Sequence, residues 1–195
     1  MKKLLVAAAL VAISTSAFAE DFNRIENNIR IESGAWGVGA KLNINDSTRE
    51  VGVDYSKNGL TLGYIRGEGA TDASDENRPF VAYSASQGPF YGRVQVELRD
   101  FVQSGADDYV RLVPTIGAQK GLGSGVTAYG DVTPKLAYGK EGVSDLTEIL
   151  ETEWKVGFNY EVAKNLQAGP FVQYVTDNDW KKSEVFLGTS IVAKF

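Results

Sequence analysis

The chain of 195 residues contains neither cysteine nor histidine, and it has a single methionine and five prolines. Without cysteine there is no disulfide framework and no thiolate metal site. Without histidine the usual proton carrier at neutral pH is missing, so no Ser–His or Cys–His nucleophile pair can be built. Long apolar runs are scarce too. The longest, residues 4–13, has ten residues, well short of the roughly 20 that a membrane-spanning helix needs. Positive charge is in deficit, with 20 basic against 25 acidic residues and a net charge of −5. A nucleic-acid partner would favour the opposite balance, so none is expected. Nothing in the sequence calls for a cofactor or a bound metal.

What is present begins with an export signal. Met1-Lys2-Lys3 supplies a positive start, residues 4–13 an apolar stretch, and Ala17-Phe18-Ala19 a small-x-small cleavage pattern. Residues 1–19 therefore read as a signal peptide cut before Glu20, with Ala17 and Ala19 as its recognition residues. Its removal takes away Lys2 and Lys3, leaving 18 basic against 25 acidic groups and a net charge of −7.

After residue 33 the dominant pattern has period two, so successive side chains meet two different environments. From residue 150, Leu150, Thr152, Trp154, Val156, Phe158, Tyr160 and Val162 oppose Glu151, Glu153, Lys155, Gly157, Asn159 and Glu161. Phe90, Val94, Val96 and Leu98 oppose Tyr91, Arg93, Gln95, Glu97 and Arg99, and similar faces recur elsewhere. Ten such segments run over 34–44, 49–57, 60–67, 79–87, 90–101, 109–119, 125–138, 149–162, 165–176 and 183–195. Within the N-terminal segment 20–33, residues 22–33 alternate as well, and the segment would extend the first strand or form a short plug.

Connections alternate in length. Asn58-Gly59, Gly88-Pro89, 120–125 and 163–165 are short, whereas 68–78, 102–108, 139–148 and 177–182 are longer and acidic; the short turn at 45–48 is the exception. Short turns at one end and long loops at the other suit a membrane barrel. The expected fold is therefore all-β: a closed antiparallel up-and-down transmembrane β-barrel over 34–195. Ten strands are expected, with eight or twelve as alternatives. An even count would place both termini on the periplasmic side. A soluble periplasmic sandwich or lipocalin-like barrel would also alternate. It would, however, have to bury Arg93, Glu97, Arg99, Arg111, Asp131, Lys135, Glu151, Glu153 and Lys155 in an apolar core. A polar lumen accommodates them, so these nine are the candidate lumen residues, and Glu151 and Glu153 read as lumen carboxylates balanced by Lys155 and arginines. Mean hydropathy of −0.19 would by itself suggest a soluble protein, but a membrane barrel gives the same value, because only alternate residues would face lipid.

The last strand presents Val185, Leu187, Thr189, Ile191, Ala193 and Phe195 on one face and ends on an aromatic. It resembles the terminal signal by which the outer-membrane assembly machinery recognises its substrates, with Leu187, Ile191 and Phe195 carrying it. That resemblance implies the machinery as a partner and the cell outer membrane as the location. Trp36, Tyr55, Tyr64, Tyr83, Tyr138, Trp154, Tyr160 and Tyr174 are candidates for interfacial aromatic girdles. Known outer-membrane barrel proteases, phospholipases and lipid A deacylases resemble one another in needing a histidine base, so no enzyme is expected here. Acidic residues Asp72, Asp75, Glu76, Asp177 and Asp179 read as solvated loops, with a cation bridge to lipopolysaccharide as the sharper alternative.

Three functional expectations follow. The first is a narrow porin-like channel for small solutes in outer-membrane lipid. The second is a non-transporting structural or adhesion barrel acting through its acidic loops. The third comes from the Pro170-Phe171-Val172 strand, the alternation and terminal Phe195, which are similar to small porins for acidic oligosaccharides. That resemblance implies an inward cationic track, for which Arg93, Arg99, Arg111, Lys135 and Lys155 are the matching residues. This chain is shorter than the twelve-strand barrels of that family, and Glu97, Glu151, Glu153 and Glu161 share the same face.

Overall fold

Residues that branch at Cβ or carry rings occupy alternate positions along this chain, where they fit a pleated surface. The computed structural model describes residues 24–43, 48–69, 75–102, 108–139, 149–181 and 183–195, and these are strands and short turns throughout. The strands are β1 (Arg24–Ser33), β2 (Trp36–Asn43), β3 (Arg49–Lys57), β4 (Leu60–Glu68), β5 (Glu76–Gln87) and β6 (Phe90–Phe101). They continue as β7 (Tyr109–Gly123), β8 (Val126–Tyr138), β9 (Ile149–Ala163), β10 (Leu166–Asp177) and β11 (Ser183–Lys194). Each strand pairs with its neighbours in sequence, and β1 also pairs with β11, which closes the barrel. The signal segment, Ala17 and Ala19 included, lies outside the described residues, as does Asp72.

The strand count is eleven, which corrects the expected ten. The additional strand is β1, drawn from the 20–33 segment; it is a wall strand of its own. Strands in an up-and-down sheet alternate in direction, so an odd set must close on one parallel pair. That pair is β1–β11, in register from Arg24–Phe186 to Glu32–Lys194, and every other pair is antiparallel. A second correction follows. Arg24 stands at the long-loop end beside Phe186, while Phe195 stands at the short-turn end, where its N–H donates to the Glu32 carbonyl at 2.8 Å. The start of β1 and the end of β11 therefore lie at opposite rims.

The turns explain the register. Asn58 and Gly59 both have positive φ, as do Ser124 and Gly125, the pattern of two-residue type I′ hairpins whose twist matches the strands. At Gly34-Ala35 and Gly88-Pro89 only the glycine is positive, as type II′ requires. Pro114 and Pro134 stand opposite each other in a gap of the β7–β8 ladder between Leu112–Leu136 and Ile116–Val132, where neither proline has an N–H to donate.

Candidate functional site: the charged interior of the barrel

Alternation sorts the side chains into two shells. Outside stand the apolar ones, and Ile116, Val156, Leu62 and Val51 are each more than half exposed. All eight aromatic girdle candidates are exposed as well. Towards the turns they include Trp36 packed edge-on against Tyr55 at 5.1 Å between centroids; towards the loops they include Trp154 in register with Tyr174. Leu187, Ile191 and Phe195 belong to the outer face of β11. Buried residues include Glu26, Glu76, Arg78, Glu97 and Arg111, so charge is inside and apolar surface outside.

The inner charges join across strands into a belt. On β1 and β2, Lys41 Nζ meets Glu26 at 2.8 Å. Arg78 of β5 reaches Glu50 of β3 at 2.7 Å and Glu76 at 3.3 Å, and Glu76 also pairs with Arg99 of β6. Glu97 of β6 and Arg111 of β7 face each other in register, 2.5 Å apart. Lys135 of β8 holds two carboxylates of β9, Glu151 at 2.6 Å and Glu153 at 2.5 Å. Five of the nine lumen candidates foreseen in the sequence, Glu97, Arg111, Lys135, Glu151 and Glu153, thus pair with one another, and Arg99 pairs with Glu76. Arg93 donates to Gln95, which in turn donates to Glu97. Asp131 accepts from the Tyr91 hydroxyl at 2.8 Å. Lys155 lies over the Phe171 ring, 4.6 Å from its centroid.

Glycines on the inner wall make room for these contacts. Arg30 of β1 crosses over Gly37 of β2 to fork Asp54 of β3 at 2.8 and 2.9 Å. A Cβ at Gly37 would stand 2.3 Å from that guanidinium. The bidentate bridge ties three strands together and anchors β1 in the wall. Aromatic rings lie down on other glycines: Tyr91 on Gly117, Tyr129 on Gly157, Phe80 on Gly63, and Phe171 on Gly188. Rings lying along the wall leave the barrel axis to polar groups.

Two cavities occupy the interior. One, of about 640 Å³, lies at the long-loop end and includes Glu26, Arg99, Lys135, Glu151, Glu153 and Gln173 in its lining. The other, of about 690 Å³, lies towards the short turns and is lined by Arg30, Asp54, Phe80 and Arg93 among others. Lys41 and Glu50 line both. Glu26, Lys41, Glu50, Arg78 and Gln173 were not singled out as interior residues from the sequence, and Glu76 was read as a loop carboxylate, although the same period-two parity along β1, β2, β3, β5 and β10 points to all six. Of the acidic loop residues, Asp75 pairs with Arg66, Asp179 with Lys181, and Glu76 lies on β5. Among the described residues no cluster of three or more acidic side chains is arranged to hold a metal ion.

An inside-out barrel wall surrounding polar cavities is the class of structure this geometry defines. No known protein family matches the chain, and a search among curated proteins finds no match.

Proposed function

We propose that the protein is an integral outer-membrane barrel, exported by a cleaved signal peptide, that acts as a narrow porin-like channel for small solutes. The observation that carries this reading is the reversal of polarity across the wall. Exposed apolar side chains form a belt with aromatics towards both ends, while ion pairs occupy the inside. Water on the outside would leave that belt unsatisfied, whereas hydrocarbon accepts it and demands a closed sheet in return. Inside, Lys41 and Glu50 of the ion-pair belt line both cavities, and the proposed passage runs past them. Conduction runs through water-filled space beside those pairs.

The test is conductance of the refolded mature chain in a planar bilayer, with and without acidic sugars. Discrete open steps support the channel. Silence from a barrel that shows heat-dependent gel migration refutes it and favours the structural or adhesion barrel, whose partners would be lipopolysaccharide or other surfaces met by the loops. A track for acidic oligosaccharides draws less support, because Arg99, Arg111 and Lys135 are already paired with carboxylates.

A further inference from the structure

The described basic side chains that line the two interior cavities are Arg30, Lys41, Arg49, Arg93, Arg99 and Lys135. Arg30 pairs with Asp54, Lys41 with Glu26, Arg49 with Glu68, Arg99 with Glu76, and Lys135 with Glu151 and Glu153. Arg93 of β6 is different: among the described residues no carboxylate lies within ion-pair distance of it. Asp54 and Glu97 act on it from further away, but they already hold Arg30 and Arg111. A cation drawn partly out of water without a counter-charge is costly.

The guanidinium of Arg93 also has donors to spare. It donates to the Gln95 amide oxygen at 2.8 Å and lies over the Phe80 ring, 5.7 Å from its centroid. A guanidinium carries five N–H groups in a planar fork, so most of them remain for another acceptor. Arg93 is half-buried in the wall of the turn-end cavity. Its nitrogens are not among the sealed, unbonded side-chain atoms of the described interior, so a molecule in the cavity can reach them. Ser84 stands opposite Arg93 in the β5–β6 ladder and lines the same cavity, as do Ser56 and Ser190.

We infer that the turn-end cavity is a binding site for hydroxylated monocarboxylates, with Arg93 as the carboxylate-binding residue. A carboxylate matches the guanidinium fork with two parallel hydrogen bonds, and the serine hydroxyls suit the hydroxyl groups of the remaining skeleton. One uncompensated cation matches one negative charge. A second carboxylate would meet Glu32, Glu50 and Asp54, which line the cavity with their own cations engaged. The cavity, at about 690 Å³, falls within the roughly 300–1,000 Å³ range of small-molecule sites. This assignment deepens the channel reading and names a solute class, so it rests on that reading for transport, although not for binding.

The experiment uses the full mature chain refolded in neutral detergent. Calorimetric titration with gluconate is set beside sorbitol, which lacks the carboxylate, glucarate, which has a second one, and chloride. Planar-bilayer conductance of the same protein is recorded with and without gluconate. Expected are binding of gluconate, none of sorbitol, glucarate no tighter than gluconate, and reduced current with gluconate present. Arg93→Gln should weaken gluconate binding about tenfold or more, the order expected when charge-assisted hydrogen bonds are lost. That variant breaks no ion pair, so its heat-dependent gel migration should persist. If it does not, Arg93→Lys, which keeps the charge and loses the fork, and Ser84→Ala take its place, and each should weaken binding. Absence of gluconate binding by a folded barrel, or binding that these variants leave unchanged, overturns the inference. Chloride that displaces gluconate at equal concentration overturns the carboxylate assignment, and glucarate binding tenfold tighter than gluconate overturns the single-charge argument. Conduction without gluconate binding overturns the site and leaves the channel standing. Gluconate binding by a barrel that never conducts upholds the site and overturns the channel.

Discussion

The Glu97–Arg111 pair provides the sharpest test of how dry the barrel wall is. Both side chains are nearly inaccessible, at 2% and 6% exposure, and lie 2.5 Å apart on adjacent strands. Glu97→Gln keeps the shape and an oxygen that can accept from Gln95, but removes the charge opposite Arg111. A guanidinium left buried without its partner costs about 3–5 kcal/mol, whereas breaking an exposed pair costs about 0–1 kcal/mol. Burial places this pair in the first regime, so Glu97→Gln should destabilise the barrel by about 3 kcal/mol or more. Arg111→Met strands the carboxylate instead and should cost a similar amount. The double variant leaves neither charge buried. It should therefore be less destabilised than the two single costs added together, with a coupling of about 2 kcal/mol. The assay is equilibrium unfolding in urea from phospholipid vesicles, read as the folded fraction by gel migration, at low and at molar salt. Burial also predicts that the coupling survives high salt. Single costs below about 1 kcal/mol that vanish with salt would mean that lumen water reaches the pair, and the buried-belt argument would be wrong.

Other consequences concern the outer wall, the inner glycines and the seam. Val156 is exposed at the middle of β9; Val156→Arg should cost about 2–4 kcal/mol in a bilayer. The same change on a water-exposed surface would stay within about 0.5 kcal/mol, so unfolding of this variant in vesicles separates the two solvents. Gly188→Ala would put a Cβ 2.0 Å from the Phe171 ring and should cost about 1–3 kcal/mol by overpacking. Phe171→Leu on that background should recover part of the loss, and no loss in the single variant would refute the ring-on-glycine packing. Asn27 and Thr189 are partners across the parallel seam, with the Thr189 hydroxyl donating to Asn27 Oδ1 at 2.6 Å. In this cysteine-free chain, Asn27→Cys with Thr189→Cys should be joined by a short thiol crosslinker in the folded barrel; absence of the crosslink refutes β1–β11 closure.

Much of this architecture was legible from alternation alone. Strand β6 runs over Phe90–Phe101 and β3 over Arg49–Lys57, the very ranges the period-two pattern marks, because a one-residue slip would turn the whole apolar set inward. The strand that escaped notice as a separate element was β1. Its isoleucines alternate with charges just as later segments do, but the turn after it is Gly34-Ala35, a weaker signal than Asn58-Gly59. A type II′ turn asks only for glycine at its first central position, and glycine is common throughout this chain. The site was legible by face but not by partner. Parity puts Arg93, Arg111 and Lys135 on one strand face, yet it says nothing about which carboxylate each one meets. The pairing of Lys135 with Glu151 and Glu153, and of Arg99 with Glu76, depends on registers between strands. The rings resting on Gly117, Gly157 and Gly188 also needed registers, because each glycine and its ring lie on different strands.

The odd strand number and the charged belt are linked through β1. A parallel pair is slightly less stable per residue than an antiparallel one, so closure through β1 needs reinforcement from elsewhere. Arg30 provides it by reaching across the bare Gly37 to Asp54, and Glu26 by holding Lys41 of the neighbouring strand. Both contacts point inward, where a charged side chain keeps a partner and the outer face stays apolar. Removing them would leave β1 held by its ladder hydrogen bonds, the Asn27–Thr189 contact and the Glu32–Lys194 ion pair at 3.4 Å. The charges inside the barrel therefore also hold it shut, so a substitution that shortens Lys41 or Asp54 should loosen the seam as well.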